Sequence, residues 1–386
     1  MNSGYIKSLD GLRAVAIIMM MSYHFEVFHW TWISMQLFFV LSGFLITGIL
    51  WNEKHKENSL SEKFKKFWAR RSLRIFPLYF GYLLFLLLIW LFFDFPTYYP
   101  TYIPYLATYT FNFTRTLPVW HFTPLFTHLW SLSVEEQFYL FFPLIMFLFP
   151  SRFIKPFMVV IILMSPVTRL LLGWYYQSSG LPVETIADSV YWNTLSHLDA
   201  FFIGGCIQVF ALNKKIKKPG VVFFVLLSLV IGAGGLNYLN TSVSLPYYQD
   251  LGFGVGRISN YEHVWYYTLL NLFFGALILL MVSDFAKKSF KKLRSILEMS
   301  WLVRIGKVSY SMYLFHWAVL VYIFRQHNYI GENLLSKVLF FIVYLAITYG
   351  IAELSFIFYE SKFLALKDKF FPTKGLKRPN VAVLNN

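Results

Sequence analysis

Two basic residues interrupt an apolar run near the start of the chain, in LDGLRAVAIIMMMSYHFEVFHW from Leu9 to Trp30. Arg13 and His24 are eleven positions apart. Eleven steps of about 100° return to within roughly 20° of the starting direction, so a helix carries both on one face. At about 1.5 Å per residue they stand roughly 16 Å apart along the axis. A charge inside a bilayer costs at least about 2.5–3.5 kcal/mol on insertion scales, so such a face turns to a polar cavity or a partner rather than to lipid. Arginine at that place can hold an anionic group of a ligand. Imidazole, with an ordinary pKa of about 6.5, can take a proton near neutrality and so serve as a general base. The structural alternative is a pair that snorkels to opposite interfaces.

A second set of candidates lies in LWSLSVEEQFYLFFP, Leu129 to Pro143. Ser131, Glu135 and Tyr139 recur every four residues and make a polar stripe on an apolar helix, with Glu136 turned about 100° away. A carboxylate here can orient the His24 imidazole or bind acceptor hydroxyls; the plainer reading is a helix entry whose glutamates suit the dipole. Ser42-Gly43, at the centre of MQLFFVLSGFLITGIL, suits close helix approach. In FWARRSLRIFPLYF, Arg70, Arg71 and Arg74 crowd the entrance of a helix ahead of Pro77. Guanidinium binds phosphate through a planar fork, so the cluster can seat a nucleotide or pyrophosphate, or else serve topology and anionic lipid. Asp199 and His197 stand at the start of a later span, and His316 and Glu353 lie inside the last two. His121, His128 and His263 fall in outer loops with no metal-ligand spacing, and no metal is expected. The aromatic-rich segments 96–128 and 239–265 can stack on sugar rings or form an interfacial belt.

The elements that must position these residues are membrane helices. The chain of 386 residues is 57% hydrophobic and 21% aromatic, too apolar for an ordinary soluble domain. An all-α integral membrane protein is expected, with about ten spans near 10–28, 33–51, 76–95, 130–150, 155–175, 194–212, 220–239, 264–283, 304–325 and 338–359. With both termini cytoplasmic, 28 of the Lys and Arg residues fall inside and only Arg115, Arg257, Arg325 and Lys337 outside, a strong positive-inside signal. A crossing at 101–113 would reverse everything after it, so that piece is expected to be re-entrant or interfacial. Residues 1–362 form one transmembrane domain and 363–386 a short basic cytoplasmic tail. The net charge of +15 comes from residues between apolar spans, which argues against nucleic acid as a partner. The single cysteine, Cys206, permits no internal disulfide. Arg13 and His24 interrupt the first apolar region and no small-x-small site follows, so that helix is expected to be retained.

Taken together, LDGLRAVAI with His24 following, FFVLSGFLIT, RRSLRIFPLY, LWSLSVEEQFYL and a late SYSMYLFHW resemble, in order and over residues 5–360, the membrane acyltransferase family called acyltransferase 3. The resemblance implies a ten-helix enzyme, in a bacterial inner membrane, that moves an acyl group from cytoplasmic acyl-CoA, chiefly acetyl-CoA, to a hydroxyl of a cell-surface polysaccharide, lipopolysaccharide or related glycan. It implies Arg13 and His24 as the functional pair, Arg70, Arg71 and Arg74 as the basic entrance motif, and Glu135 as the glutamate of the fourth-helix block. Substrate contacts are expected from Glu136, Asp199, Tyr139 and Ser42. In the expected mechanism His24, steadied by Glu135 or Asp199, removes the acceptor proton; a covalent relay through Ser42, Ser131 or Tyr139 is the other route. Near its end the chain has FYESKF where the family has a glutamate before a basic residue and proline, so Glu360 matches in an altered context. No hydrolase-like domain is expected after residue 360, which leaves acyl hand-over direct or through a separate protein. The rivals are a proton-coupled exporter or flippase, which intramembrane Arg, His and Glu also suit, and a lipid-binding scaffold. Transporters often show related halves and none is visible, which disfavours the former.

Overall fold

The computed structural model describes residues 5–93, 95–118, 120–241, 245–255 and 257–371; most of the expected basic tail, 372–386 with Lys374, Lys377 and Arg378, lies outside the described residues. The main helices are α1 (Lys7–His24), α2 (Ser34–Lys54), α3 (Leu60–Phe93), α4 (Tyr99–Ala107), α5 (Trp130–Leu148), α6 (Ser151–Ser178), α7 (Val183–Trp192), α8 (Leu198–Val209), α9 (Pro219–Asn240), α10 (Glu262–Val282), α11 (Ser300–Val319), α12 (Leu334–Ser355) and α13 (Ser361–Phe370). Short 3-10 and helical turns join them, and no strand occurs among the described residues. Seven helices are long and apolar enough to cross a membrane: those spanning 29–54, 60–93, 127–148, 151–178, 219–240, 259–282 and 334–370.

The other three expected spans look different, each for a physical reason. Helices α1 and α11 give up part of their apolar run to Lys7, Asp10 and Arg13, and to Arg304, Lys307 and His316. The region expected at 194–212 is a 3-10 turn followed by the 12-residue α8, about 18 Å of helix against a hydrocarbon core of about 30 Å. Helix α4, with nine residues, is likewise too short to cross alone.

Polar and apolar faces are arranged for lipid. Leu84, Leu91, Leu163, Leu239, Leu335 and Phe358 are exposed on the outside of the bundle, whereas Gln36, Arg169, His197, Asp199 and His316 are buried within it. A bilayer permits that inversion because the apolar exterior meets hydrocarbon and each polar backbone group bonds within its own helix. Pro77, Pro143, Pro156 and Pro166 sit inside helices, which neighbouring helices make tolerable in a membrane.

Two helix pairs organise the centre: α1 lies along α11, and α2 along α8. Glycine sets both crossings. A methyl group at Gly11 would overlap the carbonyl of Leu297 and one at Gly306 that of Asp10; at Gly43 and Gly204 the overlaps are with the carbonyls of Phe201 and Val40. The backbones approach as closely as they do because no Cβ intervenes.

Candidate active site

At one end of the bundle a chamber of about 520 Å³ opens among α1, α5, α7, α11 and the loops before them, with His24 in its wall. Trp32, Trp120, Trp130, Tyr191, Trp192 and Trp317 supply most of its aromatic surface. Charged side chains stand among them in pairs: Arg115 Nε donates to Asp188 Oδ2 at 3.0 Å, and Arg325 Nη2 to Glu26 Oε1 at 2.9 Å. Arg325 also reaches the carbonyl of His24 at 3.2 Å and lies 5.4 Å from the centroid of Trp317. It does so because the end of α11 widens into a π-helical turn, Leu320–Arg325, a distortion frequent at functional sites.

The half-buried His24 ring packs 4.7 Å from Trp317 and 5.3 Å from His316, centroid to centroid. His316 in turn lies 5.0 Å from His128. Among the described residues no carboxylate is hydrogen-bonded to His24, which corrects the expectation that Glu135 or Asp199 steadies it. The deepest α1 residue in the chamber wall is Met20; Arg13 lies two turns below.

Arg13 belongs to a second polar cluster, where it pairs with Asp10 at 2.5 Å, and Asp10 also accepts from Tyr5 at 2.6 Å. Arg71 and Arg74, three apart on one face of α3, both turn toward this cluster: Arg74 is in electrostatic range of Arg13, Arg71 and Asp10, and Arg71 stacks 4.1 Å from the ring centroid of Tyr139. Arg74 itself is exposed. Arg70, one position back, faces away and pairs with Asp368 of α13 at 3.4 Å and with the carbonyl of Phe371.

The stripe on α5 connects the two regions. Ser131 shares a 2.5 Å bond with Tyr313, which lines the chamber and bonds the carbonyl of His128. One turn inward Ser42 donates to Glu135 Oε1 at 2.5 Å, and one turn further Tyr139 donates to Ser42 at 3.1 Å. Eight residues of α5, about 12 Å of rise, thus carry polar groups from the histidines to the arginines. Ser42 faces this seam while Gly43 makes the close crossing, so the two halves of that dipeptide divide the roles. Glu136 points off the stripe, near Arg71, with one carboxylate oxygen buried and unpartnered.

Asp199 is elsewhere. It pairs with Arg169 at 3.0 Å, both side chains fully buried, and takes further bonds from Thr268 at 2.5 Å and Asn271 at 3.0 Å. With its oxygens occupied by α6 and α10, it ties helices together rather than facing the chamber, which corrects its expected role at the substrate. Glu353 forms a two-pronged pair with Arg304 at 2.9 and 3.0 Å. Glu360, in a second π-helical turn, accepts from Ser311 and Ser355. Of His121, His128 and His263, His128 lines the chamber and His121 stacks on Tyr98 at 3.9 Å; His29, in the turn between α1 and α2, lines the chamber as well. Sequence reasoning left His128, His316 and Arg325 out of the site. The available signal was a histidine within two residues of a tryptophan in both SYSMYLFHW and FTHLW.

Among the described residues no group of three or more His, Cys, Asp or Glu is arranged to hold a metal ion. A second, larger hollow of about 650 Å³, between the start of α9 and Phe285 and Phe290, is a shallow apolar groove without an ionisable group.

Comparison with known proteins bears on this arrangement. The family model for an acyltransferase domain, acyltransferase 3, matches residues 6–355. O-acetyltransferase OatA of Staphylococcus aureus, strain NCTC 8325 / PS 47, is 29% identical over 397 residues, covering 92% of this chain and 57% of OatA. The OatA proteins of strains COL and MRSA252 align with the same figures. The chain thus spans a little over half the length of these relatives. No solved structure matches.

Proposed function

The chain belongs to the acyltransferase 3 family, and from that membership we propose an integral membrane O-acetyltransferase that moves an acetyl group from cytoplasmic acetyl-CoA to a hydroxyl of a cell-surface polysaccharide, lipopolysaccharide or related glycan. The proposal includes ten crossings with both termini cytoplasmic, in a bacterial inner membrane, and α1, α8 and α11 as interior spans. The observation that carries it is a half-buried imidazole, His24, in the wall of a 520 Å³ chamber faced with tryptophan and tyrosine. Flat aromatic faces with a few paired charges suit a sugar; an imidazole among them suits removal of a hydroxyl proton.

In this reading the phosphates of the donor meet Arg71 and Arg74 at the inner end, with Arg13 behind them, and Arg70 secures α13 beside the entrance. The pantetheine arm extends past Arg13 and along the α5 stripe, where Ser42, Glu135, Tyr139 and Glu136 offer hydrogen bonds, until its thioester stands at His24. His24 takes the acceptor proton as the oxygen attacks the thioester carbon. The carbon–sulfur bond then breaks, its electron pair leaves with sulfur, and the thiolate takes the proton. OatA relatives carry O-acetyltransferase in their name, which supports acetyl as the group transferred and a hydroxyl as acceptor.

The test uses membranes from a bacterial host expressing the chain, radiolabelled acetyl-CoA as donor and the host's surface glycans as acceptor. Base-labile label should enter the glycan. His24→Ala should reduce its entry by about 100-fold or more at equal protein level. Full transfer by His24→Ala would remove the base from the mechanism. Intact acetyl-CoA beside wild-type protein, with export of a lipid-linked substrate dependent on His24, would favour the exporter instead.

A further inference from the structure

Three histidines, from three different parts of the chain, stand in a row at the chamber: His24 on α1, His316 on α11 and His128 before α5, with successive ring centroids 5.3 and 5.0 Å apart. The proton on each of the two inner rings can be located by what it touches. Nδ1 of His316 lies 2.5 Å from the carbonyl oxygen of Tyr313; a carbonyl only accepts, so Nδ1 carries the hydrogen and Nε2 the lone pair. By the same logic Nε2 of His128, 3.2 Å from the carbonyl of Leu314, is the donor and Nδ1 the acceptor. Both acceptor nitrogens, Nε2 of His316 and Nδ1 of His128, are buried without a partner. An unpaired buried polar atom costs about 1–3 kcal/mol, and a native fold retains one where it has a use.

Of the two unpartnered nitrogens, Nε2 of His316 belongs to the ring that packs against His24, at 5.3 Å between centroids. The charged side chains at the chamber are paired with one another, Arg115 with Asp188 and Arg325 with Glu26, and Glu135 is held by Ser42. His316 is fixed from both sides, through its own carbonyl by Tyr344 at 3.1 Å and through Nδ1 by Tyr313. Its Nε2 is thus left as a basic atom without a partner on the ring next to His24.

We propose that Nε2 of His316 receives a proton from His24 during acyl transfer, so that the two imidazoles work as a relay. The proposal rests on the O-acetyltransferase reading. The acceptor O–H bond breaks and its proton joins one ring nitrogen of His24, while the proton on the other nitrogen of His24 passes to Nε2 of His316. The acceptor oxygen bonds the thioester carbon, the carbon–sulfur bond breaks with its electron pair on sulfur, and the proton returns through the same rings to the thiolate. The charge of the intermediate state is thereby shared between two rings within the chamber. His316 acts through His24 and is a positioning residue rather than one that touches the acceptor. The relay requires the rings, 5.3 Å apart between centroids, to draw together when substrate binds, as catalytic hydrogen bonds commonly tighten in the substrate complex.

The decisive variant is His316→Asn, whose side-chain amide can still donate to the Tyr313 carbonyl but has no basic nitrogen at the Nε2 position. Transfer of label from acetyl-CoA should fall about 10- to 100-fold in kcat with KM for acetyl-CoA unchanged. The wild-type rate plotted against the deuterium fraction of the solvent should bow downward, as two protons in flight require, and become linear in His316→Asn. A wild-type rate and a bowed plot in His316→Asn would overturn the relay while leaving the enzyme reading intact; loss of dependence on His24 itself would overturn that reading instead. Nitrogen NMR of the histidine-labelled wild-type protein gives a second measurement that needs no variant. It should show His316 protonated at Nδ1 and bare at Nε2, and the opposite tautomer would overturn the relay.

Discussion

At the scale of single residues, two arginines inside the bundle, Arg169 and Arg71, illustrate how alike such groups look in sequence and how differently they work. In sequence Arg169 and Asp199 are simply ionisable groups within or at the start of apolar runs, as His24 is. In the fold they are fully buried against each other, and Arg169 also donates to the carbonyls of Ser196 and Val264 and to Thr268. Arg71 instead lies over a tyrosine ring beside Glu135 and Glu136. Removing one partner of a buried pair strands the other charge, at a cost of about 3–5 kcal/mol. Asp199→Ala should therefore lower the unfolding temperature in detergent markedly. The protein that remains folded should keep the wild-type KM for acetyl-CoA. A raised KM with unchanged thermal stability would return Asp199 to the substrate.

At the scale of elements, the reactive pair depends on how closely two helices can lie. His24 ends α1 and His316 is on α11, and their approach follows from the contact of Gly11 with the Leu297 backbone and of Gly306 with the Asp10 backbone. A methyl at Gly306 meets backbone, which cannot swing aside as a side chain can, so the helices must part. Overpacking of this kind costs about 1–3 kcal/mol, and the displacement is carried along both helices to the histidines. Gly306→Ala should thus lose acyl transfer out of proportion to its loss of stability. Gly350→Ala on α12, where the new methyl meets nothing within 4 Å, should change neither. The comparison is read by label transfer per folded molecule; equal activity in the two variants would show that the crossing does not position the site. The π-helical turn at Leu320–Arg325 adds a second element-level device, since it brings Arg325 back onto the carbonyl of His24.

At the scale of the whole molecule, the sequence made plain whatever depends on composition along the chain and hid whatever depends on direction around a helix. Apolar runs marked the long lipid-facing helices, and the eleven-residue spacing put Arg13 and His24 on one face of α1. Depth alone could not separate Asp199, turned toward α10, from Glu135, turned toward Ser42, nor foretell that the turn before α5 would carry His128 to His316. The shortness of α8 was hidden too, because the apolar run continues through residues the chain uses for a 3-10 turn. The orientation drawn from 28 inner and four outer basic residues has a sharp test, because α4 lies between the early and late inner loops. In a Cys206→Ala background, single cysteines at Lys56 and Lys292 should resist a membrane-impermeant maleimide in intact cells and react after permeabilisation. A cysteine at Gln326 should react at once. All three positions are exposed, so burial will not mimic protection by the membrane. If the 99–107 region crossed the bilayer, Lys56→Cys would stay protected while Lys292→Cys and Gln326→Cys exchanged behaviour. That exchange would overturn the orientation, and with it the expectation that α1 and α11 cross the bilayer in the same direction.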